Sequence, residues 1–306
     1  MSSFVTKQMS MAELYIDKVK SKAMQGWING LIGVVLFSGS LPATRCAVLE
    51  FDPMFVTLAR ATIAGILALV ALLVFKEKRP SKEQFRSLII VALGVVFGFP
   101  LLSALALQHI TSAYSIVFLG VLPVSTAVFA IVRGGERPKP IFWMFSAIGS
   151  LLVVGYAIAQ GGTTSPIGTL LMLGAIVLCG LGYAEGGKLT KSLGGWQVIS
   201  WALVISLPVM LPLFFIYTPA SFEGISIAAW GSLAYVALFS MFLGFIFWYN
   251  GLAQGGIATV GQLQLLQPFL ALVLAAWLLH ETVSIGMLGV TAGVILCVIG
   301  TKRFAK

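Results

Sequence analysis

Charged side chains are the scarcest component of this 306-residue sequence: Asp, Glu, Lys and Arg together make up 9% of it. A soluble domain carries about a quarter, so the chain lacks the polar surface that water requires. Its mean hydropathy of +1.02 leads to the same reading, an integral membrane protein. Acid is rarer still. The only aspartates are Asp17 and Asp52, both outside the apolar runs, and no glutamate lies in the middle of one, Glu185 falling at the end of the sixth run. A paired-aspartate intramembrane protease is therefore excluded. His109 and His280 sit at the ends of apolar runs, which leaves no Ser/His dyad at depth, and the lack of a P-loop excludes an ATP-driven pump in a single chain. Cys46, Cys179 and Cys297 are odd in number and far apart inside apolar runs, as small core residues are; they imply no disulfide and no metal. Neither a cofactor nor a metal cluster is expected.

What is present is length without polarity. Ten apolar runs cover 26–49, 54–75, 88–107, 113–132, 141–159, 167–184, 198–217, 229–252, 258–279 and 284–301, about two thirds of the chain. They are too long and too continuously apolar for barrel strands, so the expected fold class is an all-α integral membrane protein with ten transmembrane helices. Residues 1–25 read as a polar tail containing Glu13 and Asp17, not a signal peptide. The formal charge of +9 is topological: 17 of the 19 basic residues fall in the tails and alternate connectors of one set, none in the other set, and the remaining two are Arg45 and Arg60 inside the first two runs. The positive-inside rule then puts both termini in the cytoplasm, in the cytoplasmic membrane, with lipid and a small-molecule substrate as partners and no nucleic acid. These patterns specify no oligomeric state. Trp27, Trp143, Trp196, Trp230 and Trp277 lie near run ends, as interfacial anchors do.

The chain repeats itself. A constant offset of 145 residues places Pro123 on Pro268 and Glu136 on Glu281, along with Leu107 on Leu252 and Gly155 on Gly300. The expected units are a first five-helix repeat over 26–159 and a second over 167–301. Because five is odd, the second half enters the membrane inverted, an architecture that recurs among secondary transporters. Gly94-x3-Gly98 and Gly289-x3-Gly293 read as close-packing signals.

Two five-helix halves, each with a proline in its fourth helix and a glutamate just past it (Pro123/Glu136 and Pro268/Glu281), with Arg60 in the second helix and a short basic tail, resemble the EamA family of the drug/metabolite transporter superfamily over 26–301. The resemblance implies a carrier, an exporter of amino acids, other metabolites or drugs.

Prolines inside helices point to a site, because each frees the carbonyl four residues earlier: Pro42 frees Ser38, Pro123 frees Leu119 and Pro268 frees Gln264. A packing kink is the alternative. Gln264 and Gln267 share a helix face that must point inward, toward substrate or toward another helix. Arg60 is an intramembrane cation, able to meet an anionic group or simply to snorkel. Asn250 is a further polar candidate, nearer the cytoplasmic edge, and Arg45 pairs most simply with Glu50 or Asp52. The expectation is a carrier whose cavity is lined by helices 1, 2, 4, 6, 8 and 9. Arg60, Ser38, Gln264, Gln267 and Asn250 bind substrate there, and Pro42, Pro123 and Pro268 shape the cavity. With no carboxylate at depth, it is driven by the substrate's own gradient or by exchange. An intramembrane enzyme would need a titratable cluster at one interface, and a channel would need rings of polar residues; neither pattern is present.

Topology is the first test. Reporter fusions after Glu50, Gln160 and Glu223 are expected outside and those after Lys82, Lys139 and Lys191 inside; one reversed site removes the five-plus-five arrangement.

Overall fold

The computed structural model describes residues 21–110, 115, 118–159, 165–271 and 285–304, and all regular structure among them is helical. Six helices are long and apolar enough to cross a membrane: α1 (Ser21–Val48), α2 (Pro53–Val74), α3 (Lys82–His109), α6 (Pro166–Leu193), α7 (Gly195–Ile216) and α8 (Ile227–Gly255). The shorter apolar α4 (Leu122–Val132) and α5 (Pro140–Ala159) stand among them. A broken α9 starts at Ile257 and is followed to residue 271, and α10 spans Ile285–Phe304. The parts of the fourth and ninth runs at 113–114, 116–117 and 272–279, with His280 and Glu281, lie outside the described residues.

Helix starts are set by side chains that satisfy the first orphan N–H groups. Asp52 accepts from Met54 and Phe55 N–H at 2.8 and 3.1 Å, ahead of Pro53 at the first helical position of α2. Ser81 and Gln84 form a reciprocal capping box at α3. Ser226 caps α8 through Ala229 N–H, and Glu50 in turn binds both the Ser226 N–H and hydroxyl at 2.7 Å. Those two bonds hold the Glu50 carboxyl below the usual carboxylate range. Between α6 and α7 the chain reverses on Gly194 (φ +99°), and between α8 and α9 on Gly256 (φ +95°), left-handed joints that favour glycine.

Arg45 corrects the sequence reading. Glu50 is bound to Ser226 and Asp52 to the start of α2, so Arg45 donates instead to the Leu107 carbonyl in the last turn of α3, where helical N–H donors run out.

The bundle is built from close pairs: α2 on α7, α5 on α10, α3 and α4 on α6, and α1 on α8. The α1–α8 contact runs through Gly26 and Gly30 against Gly251 and Gly255. A Cβ on Gly251 would lie 2.6 Å from the Gly30 nitrogen, so these two small-x3-small faces meet backbone to backbone. Both α3 and α8 carry a π-helical stretch, Ala92–Gly98 and Val236–Leu243, and their N-caps Ser81 and Ser226 stand 145 residues apart, the offset seen in the sequence.

At the end of the bundle that bears the basic connectors, the Glu136 carboxylate accepts from Ile257 N–H at 2.7 Å and Ala258 N–H at 2.8 Å. A residue after α4 thus caps the start of α9, with charge favourable to the helix dipole. Glu136→Ala is expected to cost about 1–2 kcal/mol of stability and Glu136→Gln, which keeps one acceptor, less; denaturant unfolding in detergent measures both.

Candidate functional site

Three helices lose their regular winding at the middle of the bundle, each beside a proline named above. In α1, Pro42 has no N–H to offer the Ser38 carbonyl; the helix stops, turns at Gly39 and restarts at Ser40, with Ala43 N–H taking the Gly39 carbonyl at 3.0 Å. In the fourth run, residues 118–119 are helical, 120–121 form a turn, and α4 begins at Leu122 with Pro123 as its second residue. In α9, Pro268 leaves the Gln264 carbonyl free, and Gln267 N–H takes it instead, one residue short. The bond tightens Gln262–Leu266 into a 3₁₀ turn.

These breaks, with the π turn of α8, surround a small cavity of about 20 Å³, room for about one water molecule. Arg60, 4% exposed, enters it from α2. Its Nη2 donates to Ser240 Oγ at 3.0 Å, and Ser40 Oγ donates to the same oxygen at 2.7 Å. Ser240 therefore accepts twice and keeps its own proton to give, while Arg60 Nε has no partner. Gln267 also lines the cavity and donates to the Phe37 carbonyl at 3.1 Å, which leaves its amide oxygen available. The rest of the wall is apolar: Phe37, Leu41, Val95, Phe99, Leu122 and Phe245 among others, with Tyr183. The site is rich in donors and walled by rings and aliphatic groups.

Toward the basic end an aromatic stack closes the cavity. Phe37 packs edge-on against Phe245 at 5.0 Å, and Tyr183 lies 5.3 Å from the fully buried Trp248. Gln264, 1% exposed, sits beside the Tyr183 hydroxyl without reaching hydrogen-bond geometry; both of its amide atoms are unpartnered. In a 3₁₀ turn residues i and i+3 eclipse, so Gln264 and Gln267 do share a face, while Gln262, equally buried and unpartnered, lies on another.

The structure thus brings Arg60 and Gln267 into one cavity, with Gln264 just beyond its aromatic wall. The other expected side chains stand apart. Ser38 turns its hydroxyl back onto the Val35 carbonyl at 2.6 Å, because the break at Gly39 ends the helical register that aligned it with Pro42; Ser40 takes the inward place. Asn250 Oδ1 accepts from Gly195 N–H at 3.2 Å, at the start of α7. Pro42 is exposed, whereas Pro123 and Pro268 are buried; all three act through the backbone and none lines the cavity. Helix α3 joins the expected lining helices through Val95, Phe99 and Pro100. Sequence reading missed Ser40, Ser240 and Tyr183; a lone hydroxyl in the apolar run around Ser240 was the one signal available. It also set Glu185 at a helix end. In the structure Glu185 lies eight residues before the end of α6, fully buried, and Oε2 receives Arg133 Nε from the end of α4 at 2.7 Å. Among the described residues, no group of three or more His, Cys, Asp or Glu side chains is placed to hold a metal.

Ser240→Ala is expected to leave the Arg60 and Ser40 donors without their shared acceptor, costing about 1–3 kcal/mol, with Ser240→Thr close to wild type. Thermal unfolding of the two variants in the same detergent checks this.

The comparisons with known proteins fit this architecture. The EamA-like transporter family matches twice, over residues 24–157 and 166–302. A protein of Bacillus subtilis (strain 168) named "Uncharacterized transporter YdeK" is 63% identical over 286 residues, covering 94% of this chain and all of that one. More distantly, the "Probable terminal-alkyne amino-acid exporter" of Streptantibioticus cattleyicolor is 22% identical, covering 86% of this chain and 89% of its own. One solved structure, titled only "Crystal structure of protein", superposes with a TM-score of 0.72 at 18% identity, over 92% of this chain and 97% of that one, a likeness of fold.

Proposed function

The chain belongs to the EamA-like transporter family, and we propose that it works as a secondary carrier exporting small metabolites, amino acids among them, by alternating access. The observation that carries this reading is the cavity itself: a buried Arg60 that no described carboxylate neutralises, with Ser240, Ser40 and Gln267, placed where three broken helices meet. A packed core has no use for an unpaired cation, which costs several kcal/mol to bury. An anionic substrate group gives it one. A drug or a metabolite of another kind fits the same fold, and the distant relative named as an amino-acid exporter favours amino acids.

The reading includes ten crossings in two inverted halves, 26–159 and 167–301, after a cytoplasmic tail of residues 1–25, in the cytoplasmic membrane with both termini inside. Its support is the 145-residue offset. That offset relates Pro123 to Pro268 and the N-cap Ser81 to Ser226, and it carries the π stretch of α3 onto that of α8. Halves that match in their π stretches and N-caps as well as their letters can rock about a midplane site. The Arg133–Glu185 pair and the Glu136 cap, which tie the end of α4 to α6 and α9, belong to the cytoplasmic side in this topology. No described carboxylate lines the cavity, so transport runs on the substrate's gradient or on exchange.

Counterflow in proteoliposomes with a panel of labelled amino acids and small carboxylates, with internal pH followed in parallel, tests the proposal. Trans-stimulation without stoichiometric proton flux is expected. Arg60→Lys, which keeps charge but loses the planar fork, should weaken it, and Arg60→Ala should nearly abolish it. Full flux through Arg60→Ala, or stoichiometric proton flux with the wild type, overturns the charge assignment, and flux without trans-stimulation refutes the carrier reading.

A further inference from the structure

We infer that the site prefers a net monoanion with an apolar or aromatic body, a carboxylate lacking an ammonium group, over a zwitterionic amino acid. This rests on the carrier reading and names its substrate class. Two independent observations carry it.

The first is the charge balance of the cavity. Arg60 is the charged group lining it, and its neighbours Ser40, Ser240 and Gln267 are neutral. No described carboxylate lines the cavity, and Glu50 on Ser226, Asp52 at the start of α2, Glu136 on α9, Glu185 on Arg133 and Glu77 on Gln197 are bonded elsewhere. A monoanion bound to Arg60 makes a neutral complex. A zwitterion adds an ammonium with no described carboxylate to meet it, and in a poorly hydrated, ring-lined space that second charge is expensive. Phe37, Phe99 and Phe245 line the same cavity and suit a body without charge.

The second observation lies at the basic end of the bundle. A cleft of about 650 Å³ opens there between the start of α1, the α4–α5 connector, the end of α6, the α8–α9 turn and the end of α10. It is lined by Lys22, Arg137, Lys191, Lys302 and Arg303, with a single carboxylate, Glu136, already bound to Ile257 and Ala258 N–H. Lys302 stands over the Trp27 ring at 4.6 Å. The same cleft includes Ala258 and Thr259, at the foot of the broken α9 whose Gln267 reaches the cavity. A concave surface whose described lining is mainly basic concentrates anions and speeds their arrival, so the cleft and the cavity favour the same charge.

The test compares ligands that share one body and differ in charge: 3-phenylpropionate, L-phenylalanine, 3-phenylpropionamide and phenethylamine. Their binding to the purified full-length protein is measured by calorimetry near neutral pH. 3-Phenylpropionate is expected to bind at least about tenfold tighter than L-phenylalanine and the amide, with the amine not binding. Arg60→Gln should remove that preference. The wild-type ligand series decides the matter even if the variant does not fold. For the cleft, an Arg137→Gln/Lys191→Gln double variant should slow 3-phenylpropionate association at low salt and leave dissociation unchanged. L-Phenylalanine binding as tightly as 3-phenylpropionate, no binding of 3-phenylpropionate, or an unchanged preference in Arg60→Gln overturns the inference. An unchanged association rate in the double variant removes the cleft from it. If counterflow succeeds with zwitterions while 3-phenylpropionate fails to bind, this inference alone falls; if counterflow fails across the panel, the carrier reading falls as well.

Discussion

A helix in hydrocarbon has no water to fall back on, so a carbonyl that loses its N–H must find another partner or end the helix. The centre of this protein follows from that constraint. At Pro42 the chain ends one helical segment and begins another, and the new start turns Ser40 inward. At Pro268 it shortens the hydrogen bond instead, so that the Gln264 carbonyl is met by Gln267 N–H and the two glutamines eclipse. One missing proton produces two different geometries, and each brings a polar side chain toward Arg60.

Electrostatics completes what the backbone begins. With few acids in the chain, Asp52, Glu50, Glu136 and Glu185 each hold backbone N–H groups, a hydroxyl or a nearby base. None reaches Arg60. Hydrophobic packing does not compensate a buried charge, so the energy of the Arg60 site depends on what else enters it.

Much of this architecture was legible in the letters, because apolar runs, basic connectors and prolines act locally. The inward placing of Arg60 and of the Gln264 and Gln267 face follows from the cost of polarity in lipid. Other features depend on which partner is free once the chain has folded. Arg45 had two plausible acids nearby in sequence, but both were already bonded, so it found the Leu107 carbonyl. Ser38 was the expected hydroxyl, but the turn at Gly39 puts Ser40 in its place, and Asn250 is bound to Gly195 across the α6–α7 reversal. Ser240 sits in a π turn, and nothing in VALFSMFL specifies that winding.

The π turns of α3 and α8 carry a consequence for how such a chain can change. Each accommodates an extra residue relative to α winding, and Val95 and Ser240 face the cavity from within them. Deleting that extra residue from either stretch would restore ordinary winding there and leave the helix beyond it on its present heading, with Pro100 in α3 or Phe245 in α8 still in the wall; the change would fall on the side chains of the turn itself, Val95 or Ser240. A deletion in the regular turns on either side, with no such slack to absorb it, would rotate every residue after it by about 100°. The two π turns are therefore the places where these helices can change length without turning the cavity wall.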